Sequence, residues 1–134
     1  MIVVDANLLV QYYVRGTDTA VAEAVLSRDA LWIAPLLWRS EFRNALILLV
    51  RRRLVPLEDA VVVAHEAERL MAGHEHIVVA HRVLRLAADS GCSAYDCEYV
   101  ALAEDLDVPL VTSDRQVVRA FPSVALTPER FLTV

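Results

Sequence analysis

Apolar residues fall into two kinds of run along this chain. Short, unbroken runs rich in β-branched residues are Ile2-Val3-Val4, Leu31-Trp32-Ile33, Ile77-Val78-Val79, Pro109–Thr112 and Val124-Ala125-Leu126. None alternates with polar residues, which is how strands read when both faces are covered. Between them lie longer segments with apolar residues three or four apart, the helical period. These predict helices over Asn7–Val14, Thr19–Ser27, Leu36–Arg53, Pro56–Met71, His81–Ser90, Ser93–Leu106, Asp114–Phe121 and Thr127–Leu132. Pro35 suits the start of the third helix and Pro56 the first turn of the fourth. Gly73 closes the fourth helix and Gly91 the fifth. Strands alternating with helices predict an α/β fold, a parallel sheet covered on both faces. The 134 residues are enough for one domain with a full core, residues 1–134.

Composition sharpens this picture in three places. Hydrophobic content is 57%, above the usual ~45–50%, and mean hydropathy is +0.43. No apolar run approaches the ~20 residues that span a bilayer, and no signal peptide is evident. The excess is either a Val-, Leu- and Ala-rich core or surface that a partner covers. Cys92 and Cys97 have no nearby His, which excludes a zinc site and fits reduced thiols in the cytoplasm. All 13 basic residues are Arg.

The net charge of −5 runs against a nucleic-acid binder. Four acids carry much of it in places where solvated acids do not belong. Asp5 follows Ile2-Val3-Val4, at the carboxyl end of a predicted central strand, where open α/β sheets bind ligands. It also suits a helix N-cap. Glu41 falls inside the apolar arc of its helix, with Leu37, Trp38, Phe42, Ala45, Leu48 and Leu49. It is either a buried ion pair or a cation ligand. Asp96 stands in the apolar arc formed by Tyr95, Tyr99, Val100, Leu102, Ala103 and Leu106, although Ser93-Ala94-Tyr95-Asp96 also has capping-box spacing. Glu98 and Asp105 lie on the opposite side. Asp114 follows a strand at the same sheet end as Asp5, and is also a natural N-cap. Four converging carboxylates stay ionised only beside cations. An all-oxygen acidic site suits Mg²⁺ or Mn²⁺, which activate water for phosphodiester hydrolysis.

These residues resemble a known family. Val4-Asp5-Ala6-Asn7, Glu41, the segment Ser93–Ala103 and Leu110-Val111-Thr112-Ser113-Asp114 together look like a PIN-domain ribonuclease of the VapC type, a toxin of a toxin–antitoxin pair. The resemblance covers nearly the whole chain. It implies a PIN-like (RNase H-like) three-layer sandwich, a five-stranded parallel sheet with the first strand central. It implies that Asp5, Glu41, Asp96 and Asp114 are the catalytic, metal-holding acids, with Asn7 and Thr112 in support. It also implies an RNA substrate, products with a 5′-phosphate and a 3′-hydroxyl, a homodimer and an antitoxin partner.

Other readings are weaker. Arg115 and Arg119, four apart beside Asp114, are candidates for phosphate contact. Arg51-Arg52-Arg53 either steers RNA or simply complements a helix dipole. Trp38 and Phe42 fit core or dimer packing better than base stacking. His65, His74, His76 and His81 share no acid or nucleophile partner. A phosphotransfer receiver or a dehalogenase-like phosphatase needs a Lys that this chain lacks, and the latter wants an acid where Asn7 stands. No P-loop or dinucleotide-binding turn is present, so no nucleotide cofactor is expected. The surviving rival is a PIN-like binding module without catalysis.

Overall fold

The computed structural model describes residues 1–134. Five parallel strands, β1 (Ile2–Val4), β2 (Trp32–Pro35), β3 (Glu75–His76), β4 (Leu110–Val111) and β5 (Ala125–Leu126), form one sheet in the order β3-β2-β1-β4-β5. The helices are α1 (Ala6–Tyr13), α2 (Thr19–Arg28), α3 (Trp38–Arg51), α4 (Leu57–Met71), α5 (Ala80–Ser90), α6 (Ala94–Leu106), α7 (Arg115–Ala120) and α8 (Pro128–Thr133). The first strand is central, as expected. Ile2, Val3 and Val4 are at most 1% exposed, so their unbroken apolar run reports burial on both faces. Helix α6 lies across β1, β2 and β4, while α1 packs on α2 and α3. One core of 26 buried residues joins the sheet to these helices. A smaller cluster of Val83, Cys92, Cys97 and Ala101 seals α5 to α6. Both cysteines are free and buried.

Two boundaries differ from the sequence reading. The third strand is Glu75–His76, not Ile77–Val79, and Ile77 is 85% exposed. This strand is an edge, paired only to Ala34 and Pro35, so pairing rather than burial sets its position. Glu75 is held there by α3: Arg39 reaches both of its oxygens (2.6 and 2.7 Å), and the Trp38 indole N–H adds a third bond at 2.8 Å. Pro35 ends β2 rather than starting a helix. The N–H groups of Ala34 and Leu36 donate to His74 and His76, so the proline's missing donor falls on the side away from β3. Helix α3 therefore begins at Trp38.

The sequence turns inward at β1. From there the chain builds outward to β2 and β3 on one side and to β4 and β5 on the other. The crevice beyond the carboxyl ends of β1 and β4 is the topological switch point, the usual ligand position in such sheets.

Candidate active site

Asp5 and Asp114 arrive at that crevice by the same device. Each follows a buried strand and caps the next helix. The Leu8 N–H donates to Asp5 Oδ1 at 2.9 Å. Asp114 Oδ1 accepts from Gln116 N–H (2.9 Å) and Val117 N–H (3.3 Å). Thr112, 2% exposed at the end of β4, ties the two together. Its hydroxyl donates to Asp5 Oδ2, and its oxygen accepts the Asp114 N–H at 3.0 Å. Capping and site-building are thus one arrangement, not alternatives.

The other two acids come from helices. Glu41 has no basic partner. Its Oε1 instead accepts the hydroxyl of Tyr99 at 2.6 Å. Asp96 sits in the first turn of α6, where Ser93 caps its N–H at 3.0 Å. The reciprocal capping-box bond from the Asp96 carboxylate is not made, which leaves that carboxylate facing the crevice. Asp5, Asn7, Glu41, Asp96, Thr112 and Asp114 all line one cleft of about 290 Å³, with Asn44, Leu48 and Tyr99. A larger, open hollow of about 930 Å³ lies beside β5, lined by Glu104, Asp107, Pro109 and Arg130 among others, without a comparable set of converging acids.

The carboxylates repel one another around a ring. Burial, opposed by the bonds from Thr112 and Leu8, pushes Asp5 up to about 6, and the charges of Glu41 and Asp114 add to it. Burial raises Glu41 as well, against the Tyr99 bond and with the charge of Asp96. Asp96 is raised by burial and by Asp114. No basic side chain enters the cleft to relieve this. An all-oxygen donor set under mutual repulsion fits a hard divalent cation such as Mg²⁺ or Mn²⁺. As placed, no three of these acids close into a coordination sphere.

Two residues of the site, Tyr99 and Asn44, escape the sequence reading, and Glu98 departs from it without lining the cleft. Tyr99 was assigned to the core and is 3% exposed, yet its hydroxyl serves Glu41. Its position three residues after Asp96 on one helix was the available signal. Asn44, three after Glu41, was the matching signal on α3. Glu98 was placed on the far side of α6, but it is half-buried and raised by burial and by the charge of Glu41. Tyr95, expected in the apolar arc, is 61% exposed, and so is much of Leu48 at 42%.

Arg115 and Arg119 are exposed and line no part of the acidic cleft. Arg115 instead borders a small hollow with Gln11, Asp18, Ser113 and Glu129. Trp38 and Phe42 are core residues, 1% exposed, with rings 5.7 Å apart edge to face. The four histidines lie outside the cleft. Arg51, Arg52 and Arg53 are exposed and form no ion pair.

Comparison with known proteins points one way. Residues 2–122 match the family described as PIN domain. The chain is 31% identical over 130 residues to Ribonuclease VapC3 of Pyrobaculum aerophilum, spanning 95% of this chain and 98% of that protein. The crystal structure of PAE2754 from Pyrobaculum aerophilum superposes with a TM-score of 0.78 at 23% identity, covering 98% of this chain and 93% of that one. A toxin–antitoxin complex from Klebsiella pneumoniae contains a chain with a TM-score of 0.68 at 14% identity, covering 96% and 98%.

Proposed function

The chain belongs to the PIN-domain family, and from that premise we propose that residues 1–134 act as a metal-dependent endoribonuclease, the toxin of a toxin–antitoxin pair. One observation carries the reading: four mutually repelling carboxylates at the switch point of a parallel sheet, with no basic partner. A phosphodiester entering such a cleft is repelled unless a cation neutralises it. Asp5 and Asp96 would hold Mg²⁺ or Mn²⁺, with Glu41 and Asp114 completing the set. The cation supplies charge neutralisation and activation of the attacking water.

The protein's own residues set the geometry. Thr112 and the Leu8 N–H fix the two oxygens of Asp5, and Tyr99 fixes Glu41. Asn7 stands at the mouth of the cleft to orient water or phosphate. Attack by water at phosphorus breaks the bond to the 3′ oxygen, leaving a 5′-phosphate and a 3′-hydroxyl. No side-chain nucleophile is involved. Arg115 and Arg119 would meet RNA, if at all, outside the cleft.

The relative named as a ribonuclease supports an RNA substrate. The neighbour described as a toxin–antitoxin complex supports a protein antitoxin that covers the site. The exposed apolar residues described below support a homodimer. No helix is long and apolar enough to cross a membrane, which is consistent with action in the cytoplasm.

The test is RNA cleavage by purified protein, titrated with Mg²⁺ and Mn²⁺, with chelator and Asp96→Asn controls. Cleavage that needs both metal and Asp96 is the expected result. RNA binding without cleavage, unchanged by Asp96→Asn, would favour the binding module instead.

A further inference from the structure

Helix α3 does more than deliver Glu41. Glu41, Asn44, Ala45 and Leu48 all line the acidic cleft, so one face of this helix forms its wall. At 100° per residue, Glu41, Ala45, Leu48 and Arg52 fall within about 60° of one another. Arg52 is the C-cap of α3, with φ −83° and ψ 2°, so it continues that face one turn past Leu48. Leu48 is 42% exposed, which marks the mouth of the cleft. Arg51 follows Asn44 by two turns on the adjoining row. Eleven residues at 1.5 Å each set Arg52 about 16 Å along the helix from Glu41, a few nucleotides of a polynucleotide backbone.

The charges there are free. Arg15, Arg39, Arg43 and Arg82 are occupied by carboxylates. Arg51 and Arg52 are exposed and paired to none, and Glu58 and Asp59, the nearest acids in sequence, make no ion pair with them. A helix dipole favours cations at this end, but it does not select the face that lines the cleft. In a molecule of net charge −5 with four acids in that cleft, a polyanion needs an attractive surface next to the repulsive one.

Resting on the ribonuclease reading, we infer that Arg52, assisted by Arg51, anchors the substrate's phosphate backbone beside the acidic cleft and so positions the strand across α3. Both are positioning residues, remote from the bond that breaks.

The experiment uses full-length protein carrying Asp5→Asn, so that RNA is not consumed. Binding of a fluorescent 15-nucleotide mixed-sequence RNA is followed by anisotropy from 50 to 300 mM KCl at fixed Mg²⁺. Adding Arg52→Ala should weaken binding several-fold and reduce the salt slope by about 0.7, the value for one single-strand phosphate contact. Adding Arg51→Ala as well should reduce it further, and Arg52→Lys should retain it. Arg85→Ala, an exposed and unpaired arginine on α5, should change neither. In the active protein, Arg52→Ala should raise KM and leave kcat. Circular dichroism and size exclusion confirm an unchanged fold and oligomer. An unchanged slope and KM in a protein that binds and cleaves RNA would overturn the anchor alone. So would an effect of Arg52→Ala traced to a changed oligomeric state. Failure of the unsubstituted protein to bind or cleave any RNA would instead overturn the ribonuclease reading.

Discussion

Asp5 accepts two hydrogen bonds and is still raised to about 6, because burial and two neighbouring carboxylates outweigh them. The folded state therefore binds more protons than the unfolded state between about pH 4 and 6. The stability this gives is present below pH 4 and lost as pH rises through 6. At neutral pH the ionised group costs up to about 3 kcal/mol. Without added metal, Asp5→Asn should melt several degrees higher than the unsubstituted protein at pH 7.5, with the gap closing near pH 4, and should be inactive. Mg²⁺ at about 100 times its Kd should nearly close that gap, stabilising the unsubstituted protein by about 2.7 kcal/mol. Thermal melts at two pH values, with and without Mg²⁺, check all of this. Tyr99→Phe removes the one bond that lowers Glu41. The acidic limb of the rate–pH profile should then move to higher pH, and stability should fall by about 1–2 kcal/mol. The convergence of the four acids was legible from two signals: Glu41 and Asp96 interrupt apolar arcs, and Asp5 and Asp114 follow strands at one end of the sheet. Tyr99 was not, because a tyrosine in an apolar arc interrupts nothing: its ring satisfies the pattern while its hydroxyl does other work.

Helix ends were the most readable elements, since caps are local chemistry. Ser93, Asp114 and Thr127 accept the first-turn N–H bonds that their residue types predict. Gly91 ends α5 at φ +75°, where an added Cβ would meet nothing within 4 Å. Gly91→Ala should thus cost about 1 kcal/mol through backbone strain alone, seen in denaturant melts. Strand β3 was misplaced because its position comes from elsewhere in the chain. Ile77-Val78-Val79 has the better strand composition, yet the pairing partner and the Arg39–Glu75 contact select the polar pair before it. Glu75→Ala leaves Arg39 and the N–H of the buried Trp38 without their acceptor. It should destabilise the fold by about 1–3 kcal/mol, with faster amide exchange at Ala34 and Leu36, whose N–H groups bond to the carbonyls of His74 and His76 on either side of Glu75.

Across the molecule, the apolar excess divides between core and surface. Leu54 (68% exposed), Leu57 (54%) and Val61 (43%) cluster at the α3–α4 turn and along one side of α4. Soluble monomers seldom leave such residues together in water. Sedimentation should show association that Leu57→Glu with Val61→Glu abolishes, while the melting temperature at low concentration stays within about 2 °C, since neither residue is buried. Arg52→Ala should not disturb it. Sequence alone left the fate of this excess open, because hydropathy does not record which face of α4 meets the core.

The hydroxyl of Thr112 joins Asp5 to a strand that lies 107 residues downstream. During synthesis the first strand leaves the ribosome long before the fourth. At roughly 5–20 residues per second, several seconds pass in which the nascent chain holds Asp5 without Thr112 or Asp114. A chain cut short anywhere before β4 carries no assembled site. The two halves of the acid ring are separated in time as well as in sequence, so the ring should assemble only after β4 and Asp114 have emerged.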